Sequence, residues 1–174
     1  MDTISQISCS QDHALLLSTD RKTVWALGSN VFAQLGFATT ELTSTSEAIK
    51  IPFLGRKTIK KLQCDDTSSV VLTAEGKIIM WGDFEARNRQ NPHIPRFINI
   101  EKKVIDISMG DGFMLALTAD NRLFAFGSND RGQCGQGTIG DFIEDPVEVK
   151  LHNLRIKEIS AGKAHCLTKC SKST

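Results

Sequence analysis

Repetition is what most constrains this chain: it gives nearly the same message three times and begins a fourth. One copy runs from Ile7-Ser8-Cys9-Ser10 through His13-Ala14-Leu15-Leu16-Leu17 and Val24-Trp25-Ala26-Leu27-Gly28-Ser29-Asn30 to Gln34-Leu35-Gly36. A second runs from Leu62-Gln63-Cys64-Asp65 through Val70-Val71-Leu72-Thr73 to Ile78-Ile79-Met80-Trp81-Gly82. The third joins Ile107-Ser108-Met109-Gly110, Leu115-Ala116-Leu117-Thr118 and Leu123-Phe124-Ala125-Phe126-Gly127-Ser128-Asn129. A fourth opens with Ile159-Ser160-Ala161-Gly162 and His165-Cys166-Leu167-Thr168. The glycine closing each copy moves from Gly28 to Gly82 to Gly127, in steps of 54 and 45 residues. A period of that size signals an array of similar units that bury their apolar faces against neighbours.

Each unit reads as β structure. Short apolar runs alternate with tight polar turns, and Glu75-Gly76 and Asp120-Asn121 suit two-residue hairpin turns. The first copy has a slightly longer linker, Asp20-Arg21-Lys22, at that place. In the strand before each glycine both faces are apolar. Trp25 and Leu27, Ile79 and Trp81, and Phe124 and Phe126 lie on one; Val24, Ile78 and Leu123 lie on the other. Such a strand is expected to be covered on both sides, an environment that four-stranded sheets stacked face to face in a β-propeller supply. No segment has a helical period. The expected fold is all-β, a partial β-propeller of about three four-stranded blades plus the start of a fourth. Residues 1–174 form a single repeat domain, with repeats at 4–55, 56–100 and 101–153 and a partial one at 154–170.

The recurring motif is isoleucine-x-x-glycine, x-x-histidine, alternating leucines, a turn, aromatic-glycine-x-asparagine and glycine-glutamine-leucine-glycine. It resembles the regulator of chromosome condensation repeat, a family that builds seven-bladed propellers. Asn30-Val31-Phe32-Ala33-Gln34-Leu35-Gly36 and Asn129-Asp130-Arg131-Gly132-Gln133-Cys134-Gly135 carry its most distinctive segment. The resemblance spans about residues 4–170. It marks His13, Gly28, Asn30, Gly36, Trp81, Gly82, Gly127, Asn129, Gly132, Gly135, Gly162 and His165 as structural repeat positions. The departures are Ala33 in place of a glycine, Ser68 and Phe113 in the histidine slot, and Asp83–Asn88 in place of the second glycine-glutamine turn.

Length conflicts with a full ring. Seven blades at about 50 residues each require roughly 350, whereas the chain has 174 residues. Lys169 also falls where Leu17, Leu72 and Leu117 stand in the other copies. The expectation is a partial or shortened family member that is a fragment, self-associates, or is completed by a partner, because open sheet edges pair readily.

The composition is that of an ordinary globular chain, 40% hydrophobic and 24% charged. A formal net charge of +1 gives no long-range steering toward nucleic acid or an anionic membrane. No apolar run is long enough to span a bilayer, and no secretory leader follows Met1. The expected address is intracellular, cytoplasmic or nuclear. Cys9 and Cys64 share a repeat slot with Met109 and Ala161, which reads as a small buried core position, and Cys134 replaces a core leucine. His165-Cys166 with Cys170 lacks the second ligand pair of a zinc site.

His13 and His165 recur at equivalent positions, which favours a repeated structural bond over catalysis, since catalytic groups converge on one place. There is no Walker loop, nucleophile elbow or His-Glu-x-x-His. Gly110-Asp111-Gly112 aligns with Ser10-Gln11-Asp12 and reads as a bend before a strand. No catalytic residue, cofactor or metal is expected. The charged stretch Arg56-Lys57-Lys60-Lys61, like Lys102-Lys103, reads as a solvated linker diluted by Asp65, Asp66 and Glu101, without aromatic residues to stack bases.

The most divergent loop, 83–96, contains Arg87, Arg89, Asn91 and His93, which stand as candidate partner-binding residues, because recognition tends to sit on loops of rigid scaffolds. Two functions compete: a non-catalytic protein-interaction scaffold, and a guanine-nucleotide exchange factor for a small Ran-like GTPase. The second is implied by the family's founding member, which also docks on chromatin. Shared fold does not carry function, and the scaffold is the favoured reading. Its partners are other proteins.

Overall fold

The computed structural model describes residues 3–84, 91–151 and 154–172. The chain divides into two compact units, 1–97 and 98–174. The first holds two antiparallel meanders. One sheet comprises β1 (Ile4–Cys9), β2 (His13–Ser18), β3 (Val24–Ser29) and β4 (Ser44–Lys50); the next comprises β5 (Ile59–Cys64), β6 (Ser68–Thr73), β7 (Ile78–Gly82) and β8 (Arg96–Ile98), where the chain passes into the second unit. That unit holds a third four-stranded meander, β9 (Val104–Met109), β10 (Phe113–Thr118), β11 (Leu123–Asn129) and β12 (Gly140–Val149), followed by the pair β13 (Leu154–Ala161) and β14 (Cys166–Lys172). Three blades and the first two strands of a fourth make a partial β-propeller fold.

The sheets repeat in register as well as in order. Cys9 pairs with Ala14, Cys64 with Ser69, Met109 with Met114 and Ala161 with Cys166. Four residues earlier each first strand carries one extra residue, a bulge at Ser5, Lys60, Ile105 and Lys157. A bulge bends a strand and raises its twist, so all four copies are bent at the same place. The bend before each second strand is also shared: Ser10, Asp65, Gly110 and Gly162 each donate N–H to the carbonyl three residues on, at 2.8–3.1 Å.

The hairpin turns differ from the two-residue form expected. Gly76 N–H donates to the Thr73 carbonyl and Asn121 N–H to the Thr118 carbonyl, both at 3.0 Å, and only Gly76 (φ 86°) and Asn121 (φ 66°) take positive φ in their turns. This is a three-residue loop, a type I turn closed by one left-handed residue. The first copy also closes on a left-handed residue, Arg21 (φ 61°) donating to the Ser18 carbonyl, but its loop is one residue longer, as expected. Ser18 N–H reaches the Thr23 carbonyl five residues on, where Thr73 and Thr118 reach Lys77 and Arg122 four residues on.

In the first unit the core forms between the two sheets. Leu15, Leu17, Val24 and Ala26 meet Ile59, Leu62, Val71, Ile79 and Trp81, all buried. Trp81 is fully enclosed, with Phe53 edge-on at 5.2 Å. Each such aliphatic side chain contributes about 1.5–3 kcal/mol of burial. In the second unit Phe113, Leu115, Leu117, Leu123 and Ala125 pack with Ile156 and Ile159. The expectation that the strand before each glycine is covered on both faces holds for β7, buried throughout, but not for β3. There the Val24/Ala26 face takes the second sheet, and Trp25 and Leu27 opposite remain only half-buried.

Candidate functional site

The polar residues that recur in the sequence are spent on tying turns together. His13, at the start of β2, is 4% exposed. Its Nδ1 lies 2.9 Å from Ser10 Oγ and its Nε2 lies 2.9 Å from Ser69 Oγ on the neighbouring sheet. The Ser69 hydroxyl donates to the Gln34 carbonyl at 2.8 Å, so it accepts from His13 Nε2–H, and Nδ1 accepts from Ser10. The same Gln34 carbonyl accepts Trp81 Nε1–H at 2.9 Å. Burial pushes the His13 imidazole down to about 4, against the opposing pull of the Asp66 charge. His13 is therefore neutral at pH 7, with both ring nitrogens engaged. His165 does not repeat this bond: it is exposed, and its ring occupies the space above Gly162, where an added Cβ would sit 2.6 Å from it. Phe113 does the same over Gly110, at 2.1 Å.

The asparagine of the distinctive segment is a loop organiser. Asn30 Oδ1 accepts Leu35 N–H at 2.9 Å while Nδ2 donates to the Phe37 and Leu42 carbonyls at 3.0 and 2.7 Å. Asn129 likewise accepts from Cys134 N–H and donates to the Thr138 carbonyl, both at 3.1 Å. Gln34 and Gln133 Oε1 accept the N–H two residues earlier, at 2.8 and 2.9 Å. Gly132 takes φ 74°, and Ala33, its counterpart in the first copy, is held at φ 59°. Gly36 and Gly135 also take positive φ, with Phe53 and Val149 against them. The glycines closing β3, β7 and β11 are dictated twice over. Gly28, Gly82 and Gly127 have φ of 107°, 88° and 104°, and a Cβ on Gly28 or Gly82 would meet a backbone carbonyl at 2.3 or 2.5 Å.

Turn residues also clamp neighbouring sheets. In the first unit the Arg21 carbonyl accepts Ile59 N–H at 2.8 Å and its guanidinium donates to the Lys60 carbonyl at 2.8 Å. In the second, Asn121 Oδ1 accepts Ile156 N–H at 2.8 Å and Nδ2 donates to the Leu154 carbonyl at 2.9 Å. Hydroxyl donation from Ser18 and Thr118 holds the carboxyls of Asp20 and Asp120 below the usual range.

The cysteine slot is not uniformly buried. Cys9 is exposed, because β1 alternates half-buried and open positions with Cys9 among the open ones, whereas Cys64 lies against Ser8 Oγ at 3.4 Å. Burial raises the Cys64 thiol to about 11. Cys134 is fully buried, as a stand-in for leucine should be. Among the described residues no three His, Cys, Asp or Glu side chains gather to hold a metal.

Of the candidate partner-binding residues, Arg87 and Arg89 lie outside the described residues. Asn91 is exposed at φ 53° and its carbonyl accepts Ile94 N–H at 3.0 Å, and His93 is half-buried in the same turn. The loop is anchored by Phe84, buried beneath the Arg96 guanidinium at 5.7 Å. A feature not foreseen from sequence is a shallow groove of about 460 Å³ in the first unit, lined by Arg56, Lys57, Thr73, Glu75, Lys77 and Phe97.

Repeated four-stranded meanders, with turn residues clamping neighbouring sheets inside each unit, define a β-propeller repeat protein. Residues 104–133 and 120–168 match models of the regulator of chromosome condensation (RCC1) repeat, and the chain belongs to that repeat family. Human E3 ubiquitin-protein ligase HERC2 is 28% identical over 172 residues, covering 94% of this chain and 4% of the ligase. Human X-linked retinitis pigmentosa GTPase regulator is 32% identical over 144 residues, covering 77% of this chain and 14% of that protein. The chain thus spans a small part of the curated relatives it matches. Yeast RCC1 (Prp20), solved bound to Kap60, superposes with a TM-score of 0.86 at 16% identity, over 98% of this chain and 43% of that one. Human WBSCR16 gives a TM-score of 0.61 at 20% identity, over 99% and 58%.

Proposed function

We propose that this chain is a non-catalytic protein-interaction scaffold built of RCC1-type propeller repeats. The observation that carries this reading is the full engagement of its recurrent polar groups. His13, Asn30, Gln34, Asn129 and Gln133 each bond to a turn, a backbone group or a neighbouring strand. A histidine held neutral between two serines organises structure; it has no free nitrogen for substrate. What is left for function is surface presented by loops on a rigid frame. The loop 83–96, with Arg87, Arg89, Asn91 and His93, is assigned to partner recognition, and the partners are intracellular proteins.

A second reading is exchange activity on a Ran-like GTPase. It is favoured by the likeness to yeast RCC1, which was also solved in work on binding of Prp20p to Gsp1p and histones. The discriminating experiment follows release of a fluorescent guanine nucleotide from a Ran-like GTPase with substoichiometric chain. Release at the uncatalysed rate is expected, and catalysed release would replace the scaffold with an exchange factor. Replacing the divergent turn with the glycine-glutamine-leucine-glycine form should abolish binding of a partner that uses this loop, and unchanged binding would remove the loop from consideration.

A further inference from the structure

Three stretches of the first unit meet at the shallow groove of about 460 Å³. Arg56 and Lys57 come from the segment before β5, Thr73, Glu75 and Lys77 from the hairpin between β6 and β7, and Phe97 from β8. Phe97 is 64% exposed, an unusual position for a ring of that size. Three cations and one carboxylate surround it, so the groove is positive although the chain carries a net charge of only +1. The Thr73 hydroxyl, at the turn, accepts Lys77 N–H at 3.2 Å, which fixes the start of the stretch that bears Lys77.

We propose that this groove is a docking site for an acidic segment of a partner protein. Aspartate or glutamate side chains of the segment pair with Arg56, Lys57 and Lys77, and an apolar residue between them covers Phe97. Charge complementarity selects the occupant. Arg56 offers a planar fork that matches a carboxylate, and the lysines act as adjacent point charges. Glu75 within the rim disfavours a continuous phosphodiester backbone, and a single aromatic ring offers no run of stacking platforms for successive bases. One exposed ring also falls short of the broad apolar face by which proteins settle on a bilayer. A basic rim about an aromatic anchor is the pattern of a peptide-sized contact, where one apolar side chain supplies most of the affinity and the charges set partner choice and rate. The assignment rests on the scaffold reading and names a class of partner for it.

The test is fluorescence anisotropy with a labelled peptide of glutamates flanking a single leucine, titrated with the whole chain at low and at physiological salt. Expected is saturable binding that weakens with salt, drops by about tenfold or more in Lys57→Glu/Lys77→Glu, and drops about fivefold in Phe97→Ala. All three positions are at the surface, and circular dichroism of each variant confirms an unchanged fold. A lysine-for-glutamate version of the peptide should not bind. No binding, or binding indifferent to these substitutions, overturns the proposal. So does tighter binding of oligothymidylate or of phosphatidylserine vesicles than of the peptide. Nucleotide-release activity separates the two readings: a chain that catalyses release yet holds the peptide here loses the scaffold assignment and keeps the groove. A chain that neither catalyses release nor holds the peptide loses the groove alone.

Discussion

Single residues in this protein are chosen by backbone geometry before chemistry. Gly82→Ala places a methyl 2.5 Å from the Thr67 carbonyl at φ 88°, and unfolding in urea should show a loss of about 3 kcal/mol or more. Gly55→Ala, at φ 62° with open space around it, should cost only about 1 kcal/mol. Equal costs would mean that close approach is not what fixes the repeat glycine. His13 makes stability depend on pH. Its folded value of about 4 lies below the ordinary 6.5, so between those values the unfolded chain binds more protons. Its contribution is complete above pH 6.5 and is lost as pH falls toward 4, by about 3 kcal/mol in all. His13→Phe, which copies the third repeat, should flatten that slope in denaturation midpoints measured across the window.

At the scale of elements, the hairpin turns that carry Arg21 and Asn121 act as clasps to the following sheet of the same unit. Asn121→Ala removes both bonds to β13 and puts alanine at φ 66°, so about 1–3 kcal/mol should be lost. Hydrogen exchange should locate the loss, with faster exchange at the Ile156 amide and little change in β1 to β4. The cysteines report the same architecture through access. Cys9 should react first with a maleimide and Cys134 only on unfolding, with Cys64 slow because burial keeps its thiol protonated. The sequence placed these cysteines in the right register but could not rank their exposure. Register is fixed within a sheet by alternating side chains and turn length, whereas exposure depends on what covers each sheet. Cys9 and Cys64 hold the same slot, yet only Cys64 faces a neighbouring strand.

For the molecule as a whole, the half-buried Trp25 and Leu27 and the exposed Ile7 and Leu167, 59% and 69% accessible, leave apolar surface uncovered. Light scattering of the purified chain should therefore give masses that rise above the 19.1 kDa monomer with concentration. Ile7→Asp with Leu167→Asp should return the value to the monomer. A strictly monomeric parent would show that these surfaces do not drive association.

What the sequence determined by itself is everything encoded in local periodicity. The copies, the short strands with their turns and the glycines after the aromatic positions follow from repetition, alternation and turn chemistry within a few residues of each other, while Asn30 and Asn129 are marked as structural positions by the family resemblance. The tertiary structure alone decided which residues distant in the chain became neighbours. His13 finds Ser69 on the next sheet, and the Arg56–Lys57 segment finds Lys77 and Phe97. The linker looked like a solvated charge run because its aromatic companion lies some forty residues away, across a hairpin and an edge strand. The first meeting is set by how one twisted, bulged sheet seats on another, the second by how the four strands of one sheet bring its entry segment, hairpin and edge strand together. That seating is a property of summed packing, and no short window of sequence contains it.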